Sequence, residues 1–290
     1  MGCFGEKYLP FPFNLVNFSV LCITMNPQEQ YIRPKKQLGQ HFLKDKSIAK
    51  KTVDEFLLKF PVGNVVEIGP GKGVLTEYLL QNPNVTVVAV ELDRECIPYL
   101  NAHFPTNKLK VVEADFLRMK PEALFEEGQF SIVGNFPYNI SSQIVFKTLE
   151  WKDRVPVFCG MFQKEVAERI CSPHGKKDYG ILSVLAQTFY HTEYLFTVSE
   201  DVFVPPPKVK SAVMRMVRKE NFTLPFPEKF LFEVVKAAFN QRRKMLRNGL
   251  HSFLPADKDL SNIPFLDKRV EQLSVSDFWH LAEKLHELKE

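Results

Sequence analysis

Residues 65–80 read VVEIGPGKGVLTEYLL. The β-branched run Val65, Val66, Ile68 predicts a buried strand, and 74–80 predicts the start of a helix. Between them Gly69, Gly71 and Gly73 let the backbone approach a ligand where a Cβ would clash, and the helix that follows offers unpaired N–H groups at its N-terminus. The spacing is G-x-G-x-G, not the G-x-G-x-x-G of dinucleotide folds. A second strand, VTVVAVELD (85–93), ends in Glu91, about twenty residues beyond the glycines, where an acid can hold two ribose hydroxyls. A third, LKVVEADF (109–116), ends in Asp115. Any one of these residues is equally well explained by a tight turn or a helix cap. Jointly they suit an adenosine-containing cofactor without a pyrophosphate, which is S-adenosylmethionine more naturally than NAD.

Further along, FSIVGNFPY (130–138) carries a fourth strand into Asn135-Phe136-Pro137-Tyr138. An amide, a fixed turn and an aromatic plane are the parts needed to hold a planar nucleobase by its exocyclic amine. Asn and Pro are also ordinary turn residues, so the tetrapeptide gains its weight from the glycine loop upstream.

Strand and helix alternate from residue 62 to about 218. A helix capped by Ser47 is expected over 47–60, with others from Arg94, over 141–151, from Lys164 and near Ile181. VPVFCGMFQ (155–163), 194–197 and 211–217 complete the strands. The pattern predicts an α/β, Rossmann-like fold with a mainly parallel, doubly wound sheet. Ligands in such sheets bind outside the carboxyl ends of the strands, and Gly69, Glu91, Asp115 and Asn135 all fall at such ends. After residue 221 the period changes. LPFPEKFLFEVVKAAF (224–239), RKMLRNGLHSFL (243–254) and VSDFWHLAEKL (275–285) predict a small all-helical C-terminal domain.

The chain has 290 residues, 45% hydrophobic and 25% charged, as in an ordinary soluble protein with one large and one small domain. Five cysteines with no C-x-x-C pairing suggest neither a disulfide framework nor a zinc site, and a reducing cytoplasm is expected. Residues 1–24 form a Pro-interrupted apolar stretch, too short and broken to span a bilayer. They read as a disordered extension or a misplaced start. The expected division is therefore 1–24, an α/β domain with a basic N-terminal arm over 25–219, and a small helical domain over 220–290.

Charge is unevenly distributed. From 208 to 250 there are eleven Lys and Arg against three Glu, a net +8, whereas the whole chain carries +4 and the remainder is therefore at −4. A basic segment on an otherwise slightly acidic protein is the electrostatic footprint of a polyanion. Arg242, Arg243, Lys244 and Arg247 are expected to crowd one helical turn.

The motifs QLGQHFL (37–43), EIGPGKG (67–73), ELD (91–93), EADF (113–116), NFPY (135–138), FVPPPKVKSAV (203–213) and AFNQRRKMLRNGL (238–250) resemble, in order and spacing, those of the ribosomal RNA adenine N6-dimethyltransferases. The resemblance runs from about residue 33 to the C-terminus and is strongest for the bacterial small-subunit branch. Two positions depart from it, His41 where the family often has Asn and Phe136 where it often has Leu. The resemblance implies transfer of methyl groups from S-adenosylmethionine to N6 of two adjacent adenines near the 3′ end of 16S rRNA, within a pre-30S particle. It assigns His41 and Leu43 to the methionine end of the cofactor, Glu67 and Gly69 to the glycine loop, Glu91 to ribose and Asp115 to the cofactor adenine. In the base slot, the side-chain oxygen of Asn135 and the carbonyl of Phe136 accept the amine, Pro137 fixes that carbonyl, Tyr138 stacks on the base and Phe203 closes the other face. Lys208, Lys210, Arg242, Arg243, Lys244 and Arg247 are the candidates expected to contact RNA. A cytoplasmic monomer with neither metal nor membrane is expected. Other readings are a large-subunit methyltransferase of the macrolide-resistance type, a ribosome-assembly factor with incidental methylation, and a DNA adenine methyltransferase.

Overall fold

Seven strands form the central sheet in the order β4-β3-β2-β5-β6-β9-β7. They are β2 (Gly63–Ile68), β3 (Val85–Glu91), β4 (Leu109–Glu113), β5 (Phe130–Asn135), β6 (Val157–Gln163), β7 (Tyr190–Val198) and β9 (Ser211–Arg218). The first five pair in parallel, and β9 runs antiparallel between β6 and β7. Strand order reverses direction at β2, with β3 on one side and β5 on the other, which opens a crevice at their carboxyl ends. A separate two-stranded ribbon pairs β1 (Phe42–Leu43) with β8 (Phe203–Val204), joining the N-terminal arm to a segment far along the chain. The computed structural model describes residues 32–220, 223–255 and 259–289, so the expectations for residues 1–24 lie outside it.

Side-chain alternation along the strands creates two apolar layers. Val66, Val88, Ile132 and Phe158 face one layer, while Val65, Val87, Val133 and Cys159 face the other. Helix α1 (Lys46–Leu57) covers the second layer with Ala49, Val53 and Phe56. Its N-cap is Asp45, whose carboxylate accepts from the backbone N–H of Ser47 at 2.8 Å and of Ile48 at 3.2 Å, so the Ser47 cap expected from sequence is corrected by two residues. A carboxylate meets those N–H groups more strongly than a hydroxyl and also complements the helix dipole. The helix after the glycine loop, α2 (Thr76–Leu79), is shorter than expected because residues 71–75 are spent in turns.

The remaining helices of the α/β region are α3 (Cys96–His103), α4 (Ser141–Glu150), α5 (Lys164–Cys171) and α6 (Ile181–Phe189). Three more follow: α7 (Glu228–Asn240), α8 (Leu246–Gly249) and α9 (Val275–Glu287). Leu231, Val234 and Val235 of α7 and Phe278 and Leu281 of α9 are fully buried in the same apolar layer as α4, α6 and one sheet face. Each such side chain contributes about 1.5–3 kcal/mol relative to exposure. The expected basic helical turn is not formed: α7 ends at Asn240, and Arg242, Arg243 and Lys244 lie in the irregular connection to α8. Gln, Arg, Arg and Lys in succession supply no apolar face to pack, so the chain turns there instead.

Gly134 and Gly160 sit side by side on β5 and β6. A Cβ on Gly134 would come within 2.8 Å of the Phe136 ring and 2.7 Å of the Ile68 carbonyl oxygen, and one on Gly160 would overlap both that ring and the Gly134 carbonyl. Phe136 is 1% exposed and stacks on Phe158 with ring centroids 4.9 Å apart and planes 9° from parallel. Bare backbone on two neighbouring strands thus forms the seat for one aromatic ring. Gly160→Ala is expected to destabilise the protein by about 1–3 kcal/mol through overpacking. A lowered urea midpoint at unchanged slope checks it, and an unchanged midpoint would show that the seat is looser than described.

Candidate active site

A cavity of about 290 Å³ opens at the crevice. Its walls come from the ends of β2 (Ile68, Gly69), β3 (Val90, Glu91) and β5 (Asn135), from Ala114 and Asp115 just beyond β4, and from arm residues 37–43. His41, Leu43, Gly69, Gly71, Glu91, Asp115, Asn135, Phe136, Pro137 and Tyr138 all line it. Glu67, Gly73 and Phe203 do not. Gly73 instead makes room for Leu100 of the helix Cys96–His103 and for Phe104 just after it: a Cβ there would run into both. Phe203 is 1% exposed and packs in the second apolar layer, because its pairing with Leu43 turns its side chain inward and leaves its neighbour Val204 outside. The aromatic wall expected of Phe203 is therefore not formed in this structure.

The glycine loop is pinned by Glu91. One carboxylate oxygen accepts the Gly71 N–H at 2.9 Å, and the other accepts the Leu92 and Asp93 N–H groups at 2.9 and 2.8 Å. Burial raises the pKa of this carboxyl and those backbone donors work against the rise. A carboxylate has about four lone-pair sites, so Glu91 holds the loop and keeps one site for a ligand hydroxyl. Gly71 itself has φ 56°, and a Cβ there would meet the Phe42 ring at 2.9 Å. Asp115 accepts the Leu117 N–H at 3.0 Å and pairs with Arg118 at 3.3 Å, capping the turn after β4 while it borders the cavity.

Residues 37–43 of the arm line the cavity as a strap. Lys35 pairs with Asp93, and Gln40 donates to the same carboxylate at 3.0 Å. Burial alone would raise the Asp93 pKa, but the Lys35 ammonium and the Gln40 amide outweigh it and hold the carboxyl below its usual range. Sequence reading missed this anchor, although the acid in ELD and the lysines before QLGQ were the available signal.

Glu67 lies beneath the loop, fully buried, accepting the Thr76 hydroxyl at 2.6 Å on one oxygen while the other has no hydrogen-bond partner among the described residues. Burial, only partly opposed by that hydroxyl and reinforced by the Glu91 charge, pushes its pKa up to about 7. Below about pH 4.5 the carboxyl is protonated folded or unfolded. Between 4.5 and 7 the unfolded chain releases the proton while the folded one keeps it, so this group removes stability as pH rises, in full above 7. The expected loss is on the order of 3 kcal/mol. Glu67→Gln, which is isosteric and neutral, is expected to lose less stability than the parent between pH 5 and 8. Parallel melting curves for the two proteins across that range would refute the buried-proton account.

Asn135 ends β5 with its amide nitrogen donating to the His41 carbonyl at 2.9 Å. That bond takes one of the amide's two N–H donors and fixes which way the amide points, while its oxygen accepts no hydrogen bond among the described residues. The Phe136 N–H donates to the Met161 carbonyl at 3.1 Å, while its own carbonyl accepts no hydrogen bond among the described residues. Tyr138 is half-buried with its hydroxyl on Ser211, and burial raises its pKa against the opposing effect of that bond, so the phenol stays protonated. Two oxygen acceptors at consecutive residues, next to an aromatic plane and a glycine-lined crevice, can hold an amine bearing two N–H groups.

A family model described as Ribosomal RNA adenine dimethylase matches residues 32–287. The chain belongs to that family. This rRNA adenine dimethylase is an enzyme whose methyl donor is S-adenosylmethionine. The Ribosomal RNA small subunit methyltransferase A of Flavobacterium johnsoniae is 58% identical over 254 residues, which are 88% of this chain and 96% of that protein. Its counterpart in Phocaeicola vulgatus is 52% identical over 88% of this chain and 90% of that protein. Among solved structures, a dimethyladenosine transferase from Plasmodium falciparum shares the fold, with a TM-score of 0.72 and 24% identity over 85% of this chain and 98% of that one. The 23S rRNA methyltransferase ErmE is similar with a TM-score of 0.67 and 26% identity over 84% of this chain and 99% of that one. The donor set fits the cofactor: Glu91 retains a lone-pair site, Gly69 and Gly71 leave backbone bare at the crevice, and Asp115 borders it.

The basic residues of the dimethylase divide into two groups. Arg215 is buried between Glu193 and Glu55, Arg218 donates to the Lys152 and Asp153 carbonyls at 2.7 Å, and Lys219 donates to the Gln187 carbonyl at 2.6 Å. Arg247 pairs with Asp267. Much of the local positive charge is thus committed to the fold. Lys208, Lys210, Arg243 and Lys244 are exposed, and half-buried Arg242 donates to the Lys176 carbonyl at 3.3 Å, which sets exposed Lys176 and Lys177 beside it. Those two lysines are additions that one-dimensional charge counting could not place. Among the described residues no helix is long and apolar enough to cross a membrane.

Proposed function

We propose that this dimethylase acts on the small ribosomal subunit, converting two adjacent adenines near the 3′ end of 16S rRNA to N6,N6-dimethyladenosine in a pre-30S particle in the cytoplasm. The observation that carries the reading of the slot is the Asn135 amide, whose nitrogen is anchored on the His41 carbonyl so that its oxygen is the acceptor left over. The small-subunit assignment is supported by relatives of that name at 58% and 52% identity, against 26% for the large-subunit enzyme ErmE.

When bound, S-adenosylmethionine supplies an electrophilic methyl group on a sulfonium. Adenine is a poor nucleophile because its amino lone pair is delocalised into the ring. Asn135 Oδ1 and the Phe136 carbonyl accept the two N–H groups and favour a more tetrahedral nitrogen as positive charge develops. Pro137 limits the motion of that carbonyl, and the Phe136 ring anchors it from below. Tyr138 stacks on the extruded base, a contact worth roughly 1–3 kcal/mol. Extrusion costs a few kcal/mol, which phosphate contacts from Lys208, Lys210 and the connection carrying Arg242–Lys244 offset. After the first transfer one N–H remains and a methyl group must be admitted. With the Phe136 ring seated over Gly134 and Gly160, the room has to come from the Tyr138 side, not from Phe136.

The decisive test is transfer of labelled methyl from the cofactor to isolated small-subunit particles from a strain lacking this protein, followed by nucleoside analysis. N6,N6-dimethyladenosine in small-subunit RNA is expected. Label confined to large-subunit RNA, or no label in adenine, would overturn the assignment.

A further inference from the structure

Tyr138 belongs to no helix or strand: it lies in the connection between β5 and α4. Its main chain is held locally, by the Ser141 hydroxyl donating to the Tyr138 carbonyl at 3.2 Å and the Ile140 N–H donating to the Pro137 carbonyl at 3.2 Å. The far end of the ring has a different anchor, since the phenol hydroxyl is bonded to the hydroxyl of Ser211. Ser211 is the first residue of β9. Because β9 runs antiparallel to β6, that first residue stands beside Gln163 at the end of β6, on the edge of the sheet where the crevice opens. The sheet order there is β5-β6-β9, so the tyrosine reaches past the end of one strand to the next beyond it. Ser211 is fully buried and paired on both sides, with Gln163 and with Val198 of β7, and the Lys164 N–H holds the carbonyl of Lys210 before it at 2.9 Å. Ala212, Val213 and Met214 follow it into the core. Among the described residues the Ser211 hydroxyl has no hydrogen bond other than the one to Tyr138.

We propose that Ser211 is a positioning residue for methyl transfer: its hydroxyl, fixed in the sheet, sets the plane of the Tyr138 ring on which the target base stacks. This role rests on the reading of residues 135–138 as the base slot. An aromatic side chain turns about two bonds, and for a residue in a connection the contacts beyond its own backbone limit that rotation. A serine paired on both sides in the interior of a sheet is among the least mobile partners such a ring can find. Small misplacement in the slot is costly to rate, because the amine and the sulfonium methyl must meet in line. Ser211 does not line the cavity, so it acts through the tyrosine and touches neither ligand.

The test uses the full chain with Ser211→Ala, with Tyr138→Phe and with the two combined. The first removes the bond from the strand and the second removes it from the ring, while phenylalanine keeps the stacking plane. For each, kcat and KM are measured on small-subunit particles lacking the modification, together with the Kd for S-adenosylmethionine and the melting temperature. Each single variant is expected to lower kcat roughly tenfold with donor Kd within about twofold of the parent. The double variant is expected to lose no more than either single one, because the same bond is lost only once. Parent-like kcat in either single variant would overturn the proposal. So would losses that multiply in the double variant, since Ser211 would then act on the fold and not through Tyr138. A rise in donor Kd that accounts for the whole loss in kcat/KM overturns it as well. Should Ser211→Ala fail to fold, Tyr138→Phe decides alone, since it breaks the same bond without touching β9. A parent protein that fails to label adenine in small-subunit RNA defeats the functional reading instead, which separates the two failures.

Discussion

Asn135→Ala is expected to lower methyl transfer by about two to three orders of magnitude, the loss seen when one preorganised polar group is taken from developing charge. Donor affinity is expected to stay nearly intact, because the glycine loop is held by Glu91 and not by this amide. The alanine variant also leaves the His41 carbonyl without its donor. Asn135→Asp separates the two effects: it retains acceptor oxygens but places a carboxylate against that carbonyl, so partial activity at best is expected. Single-turnover rates at saturating donor, alongside donor Kd, check the pair. Turnover unchanged in Asn135→Ala would remove the amide from the chemistry.

Replacing Arg242, Arg243 and Lys244 together by alanine is expected to weaken binding to small-subunit RNA and to flatten its salt dependence. Arg243 and Lys244 are exposed, with no ion-pair partner among the described residues, whereas Arg242 is half-buried against the Lys176 carbonyl. Two fully available cations predict that the slope of log K against log salt falls by about two units. The connection is irregular and its neighbours α7 and α9 are anchored by buried side chains, so the fold is expected to survive. Filter-binding titrations over a range of salt concentrations provide the measurement. Equal slopes for variant and parent would place the RNA surface elsewhere.

The chemistry that sits at strand ends was legible in the sequence because a local pattern fixes it. A β-branched run followed by glycines, or by a single acid, says where a parallel strand stops, and Gly69, Glu91, Asp115 and Asn135 duly border one cavity. Contacts between distant segments left no such trace. Nothing in FVPPP announces that Phe203 pairs with Leu43, so a side chain expected at the base slot is found in the core. Gly134 and Gly160 look like ordinary weak points in their strands until the Phe136 ring occupies the space above them. Counting charge along the chain gave Arg215 the same weight as Arg243, and only burial distinguishes a cation spent on Glu55 and Glu193 from one offered to solvent. The same holds for Arg242–Lys244, where composition indicated the patch and the missing apolar face removed the helix.

The strap formed by residues 37–43 borders Glu91 and Asp115 at one end of the cavity and Asn135 to Ile140 at the other. One wall shared by the donor and the target base couples their occupancies, since whatever either ligand does to that wall is felt by the other. Thermodynamic reciprocity then requires that whatever factor the methyl donor adds to the grip on RNA, the RNA adds to the grip on the donor. Exchange of spent donor between successive methylations of one adenine is then expected to slow in step with any tightening of the grip on the ribosomal particle.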